Sequence, residues 1–224
     1  MSARGRVLEL FYDVVSPYSW IGFEVFCRYK ACWNIDFRFR PAFLGGIMKE
    51  SGNKPPALVP NKFSYMVTDL QRLAKFCQVP LSLPHDPFES IFEKGSLYAM
   101  RFITAVQVSH PELVEQVSRE IWMRIWSRDE DITQQDSLFA AGIAAGIPER
   151  TVRKLLEVAS TPEVKSRLKA ATDEVLQFGA FGMPTFITHQ NGESQMFFGS
   201  DRFELMANFL GEEWKGPVPR GQVG

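Results

Sequence analysis

The chain has 224 residues, 45% of them hydrophobic and 23% charged, and a formal net charge of −1. Those proportions are those of an ordinary globular protein; they lack the basic stripe or strongly basic domain of a nucleic-acid binder. No apolar run reaches the roughly 18 residues of a membrane span, and the opening MSARGRVLELFYDV runs straight into a strand pattern without the apolar core of a secretory signal. Nucleic acid and membrane are therefore not expected as partners.

The three cysteines, Cys27, Cys32 and Cys77, form no C-x-x-C pair, and with three histidines no zinc-ligand spacing arises. A sparse, odd count points to a reducing compartment, with each thiol expected as a small buried hydrophobe. No metal is expected.

Val7–Val14, VLELFYDV, has the aliphatic and aromatic density of a strand. Ser16-Pro17 then opens a helix over Tyr18–Ala31, with serine suited to the cap and proline to the first helical position. Ile35–Arg40 alternates apolar with charged residues as a half-buried strand does, and Pro41 ends it. Residues 51–60, SGNKPPALVP, make a loop dense in glycine and proline. From there to about residue 178 the patterns are helical: Lys62–Phe76, Ser96–Val108, Pro111–Arg128, Ser137–Gly146, Glu149–Ala159 and Pro162–Gly179, broken by the proline-rich Leu81–Pro87. Thr161-Pro162 and Asp136-Ser137 stand where helix caps belong. The segment from Gly182 through Ile187 leads into another strand, Asn191-Gly192 centres a hairpin turn, Gln195–Phe198 returns, and Ser200-Asp201 opens a last helix over Arg202–Gly211. The final GPVPRGQVG reads as frayed.

A β-α-β front, a β-β-α back and a capped helical block between them predict an α/β fold with a large all-helical insertion. Residues 1–44 and 179–224 form the discontinuous α/β domain, and 45–178 the inserted subdomain. The two sheet halves must then pair across the insertion.

Strand Val7–Val14 followed by Ser16-Pro17-Tyr18-Ser19 and a helix resembles the active-site turn of the thioredoxin superfamily, with serine at both positions that redox members fill with cysteine. Gly182-Met183-Pro184-Thr185-Phe186 resembles the cis-proline segment of bacterial disulfide oxidoreductases that carry a helical insertion. More closely, FYDVVSPYSWIGFE, GIMKESGNKPP, EKGSLYAMRF, FGAFGMPTF and FGSDR are similar, over roughly residues 6–219, to kappa-class glutathione transferases. The resemblance implies a thioredoxin-like fold, a cis bond before Pro184, glutathione as co-substrate without any further cofactor, and transfer of its sulfur to small hydrophobic electrophiles such as aryl halides. Hydroperoxide reduction is a further activity it allows. It also implies a homodimer; loop 51–60 and the helix from Lys62 are candidates for the contact, because they flank the site and Leu58, Val59, Tyr65 and Met66 read as exposed and apolar.

Carried residue by residue, the resemblance makes Ser16 the catalytic group and places glutathione against Ser16, Pro17, Tyr18, Asn53, Lys62, Met183, Pro184, Ser200 and Asp201. The chemistry agrees with these residue types. A thiolate is the nucleophile, and a free thiol is mostly protonated at neutral pH. A helix N-terminus supplies unpaired N–H donors and a positive dipole end, to which the Ser16 hydroxyl adds a donor. Met183 can pair with an extended peptide through its backbone, Ser200 and Asp201 suit a peptide's charged γ-glutamyl end, and Lys62 suits its free carboxylate. Each also has an ordinary structural reading: a plain cap for Ser16 and Ser200, a strand-starting proline, a solvated lysine.

Three other functions share the fold. One is a glutathione-dependent isomerase of the 2-hydroxychromene-2-carboxylate type, separated by substrate profile. Another is a disulfide oxidoreductase, which Ser16 and Ser19 oppose because dithiol exchange needs two thiols. The last is a redox-inactive binding module. Family members reside in mitochondria and peroxisomes; the C-terminal Gln222-Val223-Gly224 lacks an S-K-L-like tripeptide, which favours the mitochondrial matrix.

Overall fold

The structure is a computed structural model that describes residues 5–89 and 94–219; the C-terminal tripeptide Gln222–Gly224 and the last residues of the segment read as frayed lie outside it. Strand β1 (Val7–Tyr12) leads into helix α1 (Pro17–Tyr29) and strand β2 (Asp36–Pro41); β3 (Thr185–Gln190) and β4 (Glu193–Phe198) form a hairpin ahead of α9 (Phe203–Leu210). All four strands join one sheet in the order β2-β1-β3-β4, with β1 parallel to β2 and antiparallel to β3. Residues nearly 180 apart in sequence are thus neighbours, as in the register Leu10↔Phe186. Asn191 and Gly192 both have positive φ at the β3–β4 turn, as a tight two-residue hairpin turn demands.

Between the sheet halves lie α2 (Leu44–Ser51), α3 (Pro60–Phe76), α4 (Leu97–Ser109), α5 (Val114–Ser127), α6 (Gln135–Ala144), α7 (Glu149–Val158) and α8 (Pro162–Gln177). Among the described residues no strand falls within 95–178, and no helix is long and apolar enough to cross a membrane.

Several boundaries differ from the sequence reading. Helix α2 begins directly after Pro41-Ala42-Phe43 and had no place in it: its GGIMKES sequence is too short and glycine-rich to announce a helix, and packing of Ile47 and Leu44 with Val175 and Leu176 of α8 stabilises it. Helix α6 starts at Gln135, so Asp136-Ser137 is not its cap. Asp131 organises that corner instead, accepting from the Thr133 and Gln134 amides, while the Ser137 hydroxyl donates to the Asp131 carbonyl. Thr161 does cap α8, accepting from the Val164 amide. Pro111–Leu113 is a 3₁₀ turn ahead of α5.

The sheet and the insertion share a core. Tyr12 of β1, Phe23 of α1 and Trp122 of α5 are fully buried against one another, with Phe23 and Trp122 centroids 4.7 Å apart. The Tyr12 hydroxyl shares a 2.7 Å hydrogen bond with Ser118 of α5. Burying three large aromatic faces at this junction removes several hundred Å² of apolar surface from water, on the order of 5 kcal/mol or more of driving force. On the other face of the sheet, the buried Glu9 accepts from Arg40 on β2 and meets His189 on β3 at 3.0 Å, so its carboxylate has a polar partner on each neighbouring strand.

Of the cysteines, Cys77 is buried and Cys27 half-buried, but Cys32 is exposed. It sits in the turn after α1, where its thiol lies against the Arg28 carbonyl instead of entering the core.

Candidate active site

The turn between β1 and α1 is held from three sides. The Ser16 amide donates to the Asp13 carbonyl, closing the turn at 3.0 Å. From α5, the Trp122 indole donates to the Ser16 carbonyl and the Trp126 indole to the Val14 carbonyl, at 3.3 and 3.1 Å. Beneath it, the fully buried Asp13 carboxylate accepts from the amides of Val15 and Leu44 and from the Ser96 hydroxyl. Burial raises the Asp13 carboxyl to about 6, and those three donors pull it back.

Ser16 is the N-cap of α1. Its hydroxyl accepts from the Ser19 amide at 3.1 Å and donates to the Met183 carbonyl at 3.4 Å. The second bond is long for an O–H···O contact, which prefers roughly 2.7–2.8 Å. Counting donors in this first helical turn leaves one free. Pro17 has no N–H, Ser19 is capped by Ser16, and the Trp20 amide donates to the Ser16 carbonyl, so the Tyr18 amide alone has no acceptor among the described residues. The Met183 amide is likewise without a protein acceptor there, and the Met183–Pro184 peptide bond is cis.

These groups line a cleft of about 780 Å³. Ser16, Pro17, Tyr18, Asn53, Met183, Pro184, Ser200 and Asp201 all contribute to its wall, drawn from both ends of the chain and from the loop after α2. The rest of the lining is largely apolar and comes mostly from the insertion and the segment just before it, including Phe43, Leu44 and Met48 near α2, Tyr65, Met66 and Leu73 of α3, and Leu97 of α4. No cysteine lines it. Gly22 allows α1 to press on the cis-proline segment: a Cβ there would stand 3.2 Å from the Pro184 ring.

Three site residues sit differently from their sequence reading. Lys62 does not line the cleft; it is exposed beside an adjoining depression bounded by Tyr18, Pro56, Tyr65 and Met66. Ser200 caps nothing, because α9 starts only at Phe203 and Arg202 takes the cap position. Asp201 accepts from Arg202 and is not at the helix end either. The Asn53 amide donates to the Phe181 carbonyl at 2.7 Å, joining the two banks of the cleft. Of the four apolar residues read as exposed, Leu58, Val59 and Tyr65 are so, but Met66 is buried because it faces α1 and the cleft floor.

Ser19, which holds the second cysteine position of redox turns, is fully buried, does not line the cleft, and its hydroxyl has no partner among the described residues.

The sequence reading missed Asp69, Trp122 and Trp126. Asp69 accepts the Tyr18 hydroxyl at 2.8 Å inside the cleft, and burial together with this carboxylate raises the Tyr18 phenol well above its ordinary range. The phenol's hydrogen is therefore committed to Asp69. A signal was available: Lys62, Tyr65, Met66, Asp69 and Leu73 follow the i, i+3, i+4, i+7 spacing of one helix face. For the two tryptophans it was their i, i+4 spacing, which read only as core.

Comparison with known proteins places the fold and the family. Residues 7–211 match the DsbA-like thioredoxin domain. The chain is 52% identical over 219 residues to human glutathione S-transferase kappa 1, covering 98% of this chain and 97% of that protein. It is 53% identical over 219 residues to its Rattus norvegicus counterpart, with the same coverage. Among solved structures, 2-hydroxychromene-2-carboxylate isomerase superposes with a TM-score of 0.71 at 19% identity, covering 92% of this chain and 94% of that one, a likeness of fold. Matched over nearly its whole length, the chain belongs to the DsbA-like thioredoxin family and, within it, to the kappa-class glutathione transferases.

Proposed function

We propose that the cleft binds glutathione with its sulfur at the N-terminus of α1, and that the thiolate formed there attacks small apolar electrophiles. The observation that carries this reading is the pairing of a buried Ser16 hydroxyl with the one free amide of the first helical turn, Tyr18, on the wall of an apolar cleft without cysteine. A bound thiol would find two donors and a helix dipole, all favouring its anion.

The apo hydrogen bonds support the switch this requires. Ser16 keeps its cap bond to Ser19 through a lone pair, so only the hydroxyl hydrogen has to turn, from the Met183 carbonyl to the sulfur. Giving up a long bond costs little, and the freed Met183 carbonyl and its unpaired amide can then pair with the cysteinyl part of the peptide. Ser200 and Asp201 stand at the γ-glutamyl end, with Asp201 available to an ammonium group once it turns from Arg202. Lys62 meets a carboxylate only if the glycyl end leaves the cleft toward the neighbouring depression. For an aryl halide, the sulfur lone pair forms the C–S bond, the carbon–halogen bond breaks, and halide leaves; the thiol proton passes to solvent. Exposed Leu58, Val59 and Tyr65 suit burial in a homodimer, for which light scattering at twice the chain mass is the test.

Ser16→Ala tests the mechanism. Losing a hydrogen bond to a charged sulfur, worth about 1.5–3 kcal/mol, should raise the bound thiol's pKa by about 1 to 2 and cut turnover of chlorodinitrobenzene at neutral pH about tenfold or more. Glutathione affinity should change far less. The readouts are thiolate absorbance against pH and initial rates. An unshifted thiol titration with full activity would reduce Ser16 to a helix cap.

A further inference from the structure

Behind the wall of the cleft lies a second groove of about 950 Å³, between α2, α4 and α8. Phe43 and Leu97 line both cavities. Around the groove stand Lys49 of α2, Arg101 of α4, and Lys165 and Lys169 of α8, against Glu50 and Asp173. Asp173 is already occupied by Lys169, four residues before it. Among the described residues, the side chains of Lys49, Arg101 and Lys165 make no ion pair or hydrogen bond. The groove therefore holds a surplus of two positive charges in a chain whose net charge is −1.

That arrangement is unfavourable when empty. Lys165 and Lys169 are one turn apart on the same helix face, where like charges repel. Arg101 is half-buried, and a partly desolvated guanidinium without an acceptor loses hydration it does not recover. It stands one turn along α4 from Leu97, so its head is held near the apolar wall. A planar fork of five donors fits an oxyanion, and a surplus of two charges matches a phosphate monoester, which carries about −1.5 to −2 at neutral pH, better than a single carboxylate. The groove's apolar residues Leu97, Leu168 and Leu176 offer a surface for an organic group beside the anion.

We propose that this groove binds a small organic phosphate, with Arg101 gripping the phosphate oxygens, Lys49 and Lys165 completing its charge, and the leucine side chains covering the organic part. The site is separate from the thiol chemistry and stands whether or not that reading holds.

Calorimetric titration of the full chain with phenyl phosphate at low ionic strength tests it. One molecule should bind per chain, and Arg101→Gln should weaken it about tenfold or more, the loss expected for charge-assisted hydrogen bonds. Lys165→Gln should weaken it about threefold, as a single exposed charge does. Lys154→Gln, an exposed lysine on α7 away from the groove, should leave it unchanged. Benzoate, with the same ring and one charge, should bind at least about tenfold more weakly. If Arg101→Gln does not fold, the exposed pair Lys49→Gln and Lys165→Gln together carries the test. Absence of binding, equal weakening by Lys154→Gln, or benzoate binding as tightly as phenyl phosphate would each overturn the proposal.

Discussion

The two banks of the cleft are built in opposite ways. On one, residues 13–19, all but Tyr18 buried, are fixed by hydrogen bonds to three parts of the molecule: two indoles of α5, the amide of Leu44, and the Met183 carbonyl. On the other, the loop from Asn53 to Leu58 and the start of α3 are largely exposed, with Tyr65 61% accessible and Lys62 beside the cleft instead of in it. Proton and sulfur chemistry tolerates errors of only a few tenths of an ångström, so the proposed thiol site draws on the bank where bonds over-determine the backbone. An apolar electrophile needs only surface, and surface can remain loosely held.

Perturbing the fixed bank should therefore change stability and titration. The largest effect belongs to Asp13. Its folded carboxyl, at about 6, lies above the ordinary value of 3.8, so between those pH values the folded chain holds a proton that the unfolded chain releases. Asp13 thus weakens the fold at neutral pH, and its contribution improves as pH falls through that window, by up to ~3 kcal/mol. Glu115 and Asp131, whose carboxyls are held below their ordinary range, work in the opposite direction. Urea unfolding of wild type and Asp13→Asn from pH 8 to pH 4 should show wild type gaining on the variant as pH drops; parallel curves would mean the carboxyl titrates normally.

Next comes Trp122→Phe. It removes the indole's hydrogen bond and leaves the Ser16 carbonyl only the Trp20 amide, and should cost about 1 kcal/mol with a several-fold fall in kcat. The KM for the electrophile should hold, because no wall of the cleft moves. If kcat stays intact, the indole contact only supports the fold.

Ser19→Ala should act with the opposite sign. It removes a buried hydroxyl without a partner, so stability should rise by about 1 kcal/mol at unchanged turnover. A loss of stability would reveal an acceptor that Ser19 does have. The smallest change is expected across the cleft. Tyr65→Ala should raise the KM for an apolar electrophile about threefold, the scale of a half-exposed contact, and leave the thiolate titration alone. A shifted titration would show that the two banks are not independent.

Much of this was legible in the residues because it is local. Strand alternation, the Ser16-Pro17 cap and the Asn191-Gly192 turn are set by neighbours within a few positions, and the structure places each close to where its pattern stands. The resemblance carried the site residues, and eight of the nine line one cleft. What failed is equally specific. Ser200 looked like a cap because serine is a good one, yet the turn tied by the Gly199 amide to the Pro184 carbonyl delays the helix to Phe203. Helix α2 was illegible because its stability comes from α8, more than a hundred residues away.

By itself, then, the sequence determined the elements other than α2, the serine-for-cysteine turn and the order in which sheet halves and helical block follow one another, since propensity, capping and periodicity act over one or two turns of chain. Only the tertiary structure decided which donors stay free. That Asp69 claims the Tyr18 phenol, that α5 holds the turn by two indoles, and that four cations surround one groove are all consequences of long-range packing. Hydrogen-bond satisfaction is settled by whichever group arrives within about 3 Å, and no spacing along a chain specifies that.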